Sequence, residues 1–263
     1  MTRSLAAGLL LWVVALSPAQ AQSSLTARQL ADLSFHQHPG AQLPLDTALI
    51  DERGNPVRLG QFFGARPAVL VLDYLTCRTL CGFVLGGLAT ALAHVPLTPG
   101  KDFSVVAISI DPRDSPADAR HARAQYLARY GKPGASGWHF LTGSAAEVRR
   151  VADAVGFLYR YDPGIRQFAH PAGLVVVGPN GRVARYILGI DYRPLDLRLA
   201  LTEAGQGRIS SPVTNLLLLC YCYNPTTGRY DASIAEAMQI AGGITVLGIL
   251  GLVLMLNRPR KAG

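Results

Sequence analysis

The sequence predicts a mixed-sheet α/β domain, its sheet flanked by helices, followed by one C-terminal transmembrane helix. Short, wholly apolar runs alternate with helix-like stretches between Val69 and Ala204, the pattern of strands buried on both faces with helices covering them. A later pair of apolar runs flanks Pro179-Asn180-Gly181, and Asn-Gly in that setting marks an antiparallel hairpin. Far downstream, Met238 to Leu256 is nearly continuous apolar sequence without a charge. With 263 residues, 49% of them hydrophobic and 16% charged, the chain can build a core without disulfides, and its composition argues against disorder, coiled coil and collagen.

Arg3, the uncharged run from Leu5 to Leu16 and Ala19-Gln20-Ala21 read as a secretory signal over residues 1–21, its apolar part too short to span a bilayer. Residues 22–42 read as a mobile start, and residues 43–205 as the domain. It opens with a short strand-and-turn passage around Gly54-Asn55-Pro56. Val69 to Tyr74 is a strand, Gly82 to His94 a helix despite Gly86-Gly87, and Phe103 to Ile110 a second strand. Ser115-Pro116 opens a helix to about Arg129, with Ser at the cap and Pro in the first turn. Trp138 to Leu141 is a third strand, and Ser144 with Glu147 forms a capping box for a helix to about Val155. Leu174 to Val177 and Arg182 to Leu188 make the hairpin, and Pro194 starts the last helix. A right-handed first crossover puts the start of its helix at the C-terminal edge of the sheet, where ligand sites of open α/β sheets lie.

Residues 206–237 read as a linker and juxtamembrane segment, and 238–256 as the membrane span. Its 19 residues cover about 28 Å as a helix, close to the hydrocarbon thickness. Arg258, Arg260 and Lys261 hold the tail, residues 257–263, in the cytoplasm. The domain is thereby expected outside the cytoplasm, in a bacterium on the periplasmic side of the inner membrane. The excess of 25 basic over 17 acidic side chains contains no basic run interleaved with aromatics, so nucleic acid is not an expected partner.

Cys77 and Cys81 stand where the first buried strand hands over to the first helix. A spacing of four brings both sulfurs to one face of a helical turn, and the backbone N–H groups at a helix start favour thiolates. Two thiolates there can close a disulfide or grip a soft metal ion. A metal needs a further ligand. His170 immediately precedes the strand from Pro171 to Val177, and a strand-edge position would bring it beside the cysteines. His36 and His38 belong to the N-terminal segment, His94 and His121 to helix surfaces, and His139 to a strand. Two sulfurs and one imidazole fit structural zinc poorly and fit copper well.

The run Asp73-Tyr74-Leu75-Thr76-Cys77-Arg78-Thr79-Leu80-Cys81-Gly82 resembles the Cys-x-x-x-Cys segment of the Sco/SenC proteins. Val106 to Pro116 resembles their strand-to-helix segment, and Phe168-Ala169-His170-Pro171 with Gly178 to Arg182 their histidine loop and hairpin. The likeness covers about residues 40–205. It implies a thioredoxin-like fold, a copper ion held by Cys77, Cys81 and His170, and a role in building the copper centre of a respiratory cytochrome oxidase. The partners implied are the oxidase's copper-binding subunit and a thioredoxin-like reductant of the cysteines. Sco/SenC proteins are usually anchored at the N-terminus, and a C-terminal anchor resembles a longer bacterial subgroup. Arg78 and Gly82 stand where the family usually has proline.

Asp111 and Asp114 match acidic positions of the second motif and would orient the site, dock a basic partner or cap the helix at Ser115. Asp73, the charge in an apolar strand, would influence the thiols or reach solvent at the strand end. Cys220 and Cys222, flanking Tyr221, are candidates for a secondary thiol pair. The leading function is a membrane-tethered metallochaperone that delivers copper and catalyses nothing. The alternative is a thiol–disulfide oxidoreductase that reduces the cysteines of the recipient subunit.

Overall fold

Five consecutive apolar residues, Ala68 to Leu72, followed by a buried Asp73 leave no solvent-facing side, so this strand needs cover on both sides, and it occupies the middle of the sheet. The structure is a computed structural model that describes residues 33–76, 82–209, 223–224 and 229–230. In chain order its elements are β1 (Ala48–Ile50), β2 (Pro56–Arg58), β3 (Ala68–Asp73), α1 (Gly82–Leu92), β4 (Ser104–Ser109), α2 (Pro116–Tyr130), β5 (Trp138–Leu141) and α3 (Ala145–Ala154). There follow β6 (Arg160–Asp162), β7 (Gln167–Ala169), β8 (Gly173–Val177), β9 (Val183–Leu188), α4 (Pro194–Gly205), β10 (Tyr223–Asn224) and β11 (Arg229–Tyr230).

The five-stranded sheet has the order β5-β4-β3-β8-β9. β3 runs parallel to β4, β4 parallel to β5, and β8 antiparallel to both β3 and β9. Alternate residues of β3 feed two cores. Val69 and Val71 join the cluster under α1, α2 and α4, while Ala68, Leu70 and Leu72 join Val148 and Val151 of α3. This mixed α/β architecture fits the thioredoxin-like expectation.

Two glycines inside α1 have a packing reason. A Cβ at Gly86 would lie 2.2 Å from the guanidinium of Arg129 on α2, and one at Gly87 2.2 Å from the carbonyl oxygen of Ile190. The Ile190 backbone cannot move aside cheaply, so bare backbone is needed at Gly87, whereas the tip of the Arg129 side chain could shift away from Gly86.

The caps differ from the sequence reading in one respect. Ser115 forms a complete capping box, with Asp118 as the reciprocal acid. Ser144 accepts the Glu147 amide, but the Glu147 carboxylate turns away to the Ala48 amide and to Arg150, so the box expected there is half made. The stretch leading to His170 holds the β6–β7 hairpin, in which Arg160–Asp162 pair antiparallel with Gln167–Ala169.

Residues 35–42, expected within a mobile start, lie along the domain. The Phe35 ring packs 5.2 Å from Phe157 and 5.5 Å from Tyr186, and the His36 and Gly40 amides donate to Gly156 and Val183. Among the described residues no helix is long and apolar enough to cross a membrane. The expected signal segment, the span 238–256 and all four cysteines lie outside the described residues.

Candidate metal centre

β3 ends at Asp73, and only Tyr74, Leu75 and Thr76 separate it from Cys77. α1 begins at Gly82, directly after Cys81. Both ends of the cysteine segment are therefore fixed to the C-terminal edge of the sheet, although residues 77–81 themselves are outside the described residues.

His170 arrives at the same edge from the other direction. It follows β7 and precedes β8, the antiparallel neighbour of β3, so its ring meets the end of β3. The side chain is 7% exposed, with Nε2 3.5 Å from Oδ1 of Asp73, itself 2% exposed. Nδ1 lies 3.1 Å from the Pro171 carbonyl. The ring is walled by Tyr74 and Phe157, with centroids 5.7 and 5.8 Å away. Burial holds the pKa of His170 below the ordinary histidine range, against the hydrogen bond to Pro171. A carbonyl can only accept, so the tautomer with its proton on Nδ1 makes this hydrogen bond and leaves a lone pair on Nε2. A neutral imidazole fixed at one nitrogen by a carbonyl is the usual state of a metal-ligating histidine.

The histidine loop is braced from β3. Tyr74 donates its hydroxyl to Gln167 Oε1 at 3.3 Å, and its ring packs 6.1 Å from Phe168. Tyr192 is buried nearby, and desolvation raises its phenol pKa, helped by the negative charge of Asp73.

Asp114, 8% exposed, ties the approach to the cysteines in place. Its Oδ2 accepts the Leu75 amide at 2.7 Å and the Ser109 hydroxyl at 2.6 Å, and its Oδ1 accepts the Thr76 hydroxyl at 2.7 Å. Asp111 is 4% exposed and pairs with Arg113, whose Nε and Nη2 lie 2.8 and 2.6 Å from the two carboxylate oxygens. Arg113 in turn sits over the Tyr161 ring at 5.2 Å. Both carboxylates thus bind groups of this chain, and the cap of α2 belongs to Ser115 and Asp118.

Ser109, Thr76 and Gln167 take part in this bracing and were not singled out from the sequence. A hydroxyl directly before Cys77 is a local signal, but the partnership of Thr76 with Asp114 spans 38 positions and has no local trace. Of the other histidines, His36, His38, His94 and His121 are exposed, and His139 packs on Phe62 at the far side of the sheet. Among the described residues, no three His, Cys, Asp or Glu side chains converge to hold a metal. The expected ligand set takes two of its three donors from residues 77–81.

The SCO1/SenC family model matches residues 38–195, more than half of the chain. The chain belongs to the SCO1/SenC family. A crystal structure from Aquifex aeolicus VF5, described provisionally as an electron transfer protein, shares 29% identity at a TM-score of 0.57, over 65% of this chain and 96% of that one. Two further relatives, both at 20% identity, share the fold. Copper-bound ScoI of Arabidopsis thaliana gives a TM-score of 0.51 over 64% of this chain and 98% of its own. BsSco, described as having a disulfide switch and as a member of the Sco family of cytochrome c oxidase assembly proteins, gives 0.53 over 65% and 97%. No curated protein matches significantly. The SCO1/SenC match begins at His38 and ends at Leu195, so it takes in β3, the cysteine segment and His170, and stops before the C-terminal region.

Proposed function

We propose that the chain is a copper-binding metallochaperone in which Cys77, Cys81 and His170 hold the ion, delivered as cargo to the copper centre of a respiratory cytochrome oxidase. One observation carries this reading: the Nε2 of a buried, neutral His170 lies 3.5 Å from Asp73 at the end of β3, four positions ahead of Cys77. Copper bound to ScoI of Arabidopsis thaliana and the assembly role stated for BsSco support the metal and the recipient. Two thiolates and an imidazole suit Cu(I), which accepts three ligands. Deprotonated thiols are required, so oxidation of Cys77 and Cys81 to a disulfide would release the ion, and reduction by a thioredoxin-like partner would restore the site. Tethering rests on the sequence: a signal over residues 1–21, a span over 238–256 and a basic tail support a periplasmic domain held at the inner membrane.

The stated disulfide switch of BsSco also favours a second reading, thiol–disulfide exchange on the recipient's cysteines. The imidazole separates the two. In reduced protein, His170→Ala should weaken Cu(I) binding by more than about 100-fold, beyond the range for groups that only orient a ligand. Reduction of a model disulfide should survive in that variant. Wild-type copper affinity in His170→Ala, measured by competition with a chromophoric chelator, would overturn the three-ligand site.

A further inference from the structure

One face of α1 is bare at its middle. Phe83, Gly87 and Thr90 follow one another at helical spacing, with Gly86 beside them, and together they floor a cavity of about 430 Å³. Arg129 of α2 forms one wall, and Ile190, Asp191 and Tyr192 of the loop between β9 and α4 form another. Its size falls within the range of small-molecule sites, about 300–1,000 Å³. A glycine inside a helix costs about 1 kcal/mol relative to alanine. The Ile190 carbonyl accounts for Gly87, but only the movable tip of Arg129 crowds Gly86. What Gly86 provides is a seat: without a Cβ there, the guanidinium lies directly against the helix.

That guanidinium has no carboxylate of its own. Among the described residues Arg129 forms no ion pair and no side-chain hydrogen bond. Its place in the last turn of α2 suits the helix dipole, but the dipole does not ask for a cation laid across a neighbouring helix. Phe83 and Ile190, 49% and 46% exposed, leave apolar surface open on the same cavity. A planar donor fork beside open apolar surface suits a carboxylate that carries an apolar body. Asp191, on the loop wall, repels a second negative charge. We propose that this cavity binds a small organic monocarboxylate, its two oxygens on the Arg129 guanidinium and its apolar body between Phe83 and Ile190. The proposal stands apart from the copper reading.

The test titrates the metal-free full chain, isotope-labelled at its isoleucine methyl groups, with phenylbutyrate and with the neutral counterpart phenylbutanol. The Ile190 methyl resonance should shift saturably, while that of Ile50 on β1 stays in place. The acid should bind about tenfold or more tightly than the alcohol, the range for a hydrogen bond to a charged group. Arg129→Gln should bring the acid down to the affinity of the alcohol and leave the alcohol's own affinity unchanged. Gly86→Ala, which favours the helix, should displace the guanidinium and weaken the acid more than the alcohol. The site is overturned by any of four results: no saturable shift at Ile190, equal affinities of acid and alcohol, wild-type acid binding in Arg129→Gln, or shifts at Ile50 that match those at Ile190. The comparison of acid with alcohol needs no variant, so it decides the matter even if a substitution disturbs folding. Copper is absent from these titrations, so failure of the three-ligand reading in His170→Ala leaves this result standing, and the reverse holds too.

Discussion

Asp114 accepts three hydrogen bonds that converge from β3's exit and β4's end, from Leu75, Thr76 and Ser109. A buried carboxylate serving three donors holds the last two residues before Cys77 against the β4–α2 turn. Its removal leaves the Leu75 amide without this acceptor, and an orphaned buried donor costs about 1–3 kcal/mol. Asp114→Ala should therefore speed hydrogen exchange at the Leu75 amide and weaken copper binding by about tenfold, as loss of a group that orients ligands does. Unchanged exchange at Leu75 would show that the turn holds itself without the carboxylate. Much at this scale was legible in the sequence. Cys77 and Cys81 stand out by type and spacing, His170 by its place just before a strand and by the family resemblance, and Asp73 as a charge in an apolar strand. What Asp73 faces is not written locally, because His170 stands 97 positions away and is brought to it by the antiparallel pairing of β3 with β8. Asp114 was legible as an acid of the second motif but not as an anchor, since its partners Leu75 and Thr76 are 39 and 38 positions away.

Elements announce themselves through apolar runs and caps, so the central strands and α2 follow directly from the sequence. β6 and β7 do not, since three-residue strands, exposed or half-buried at all positions but Asp162, carry no alternation long enough to read. β5 shows a further property that only the assembled sheet displays. As the terminal strand of the sheet it has a free backbone edge, and Glu52 and Arg123 cover it. Glu52 Oε2 accepts the Phe140 amide at 3.4 Å, and Arg123 donates to the Trp138 carbonyl at 3.0 Å while lying 3.3 Å from Glu52 Oε1. Such plugs protect an edge strand from pairing with another chain. His139, between Trp138 and Phe140, points to the opposite face and packs 4.6 Å from the Phe62 ring. Desolvation lowers its pKa from 6.5, with the charge of Glu52 opposing. Above that ordinary value the histidine is neutral in both folded and unfolded chains, and its contribution to stability is complete. As pH falls through 6.5 the unfolded chain takes up a proton that the folded one resists, so stability is lost downward until the folded pKa is passed. His139→Gln should flatten the fall of unfolding free energy below that pH by up to about 1.4 kcal/mol per pH unit. Denaturant titrations at several pH values, followed by the fluorescence of buried Trp138, would measure it, and an identical slope in the variant would refute the assignment.

Across the whole molecule, the candidate centre and the chain's exit lie at opposite ends of the sheet. α4 starts near the site, where Tyr192 feels the charge of Asp73, and runs to Gly205, where an added Cβ would lie 3.6 Å from the Pro67 ring just ahead of β3. The segment leading to the proposed span thus leaves from the end of β3 away from the cysteines. Residues 210–237 could reach at most about 90–100 Å if fully extended, so a covalent tether at the far end leaves the site free to face either the bilayer or a partner projecting from it. If 238–256 is the anchor, as proposed, this arrangement would separate anchoring from metal binding. Deleting residues 238–256 should move the mature protein from the membrane pellet to the supernatant under alkaline carbonate extraction, while copper affinity changes less than about threefold, the ordinary context dependence of a site left intact. A deletion variant that stays in the pellet would place the anchor elsewhere, with residues 1–21 as an uncleaved span the next to remove. A variant that is released but loses copper would instead tie the C-terminal region to the site, and Cys220 and Cys222 would then be the residues to substitute first.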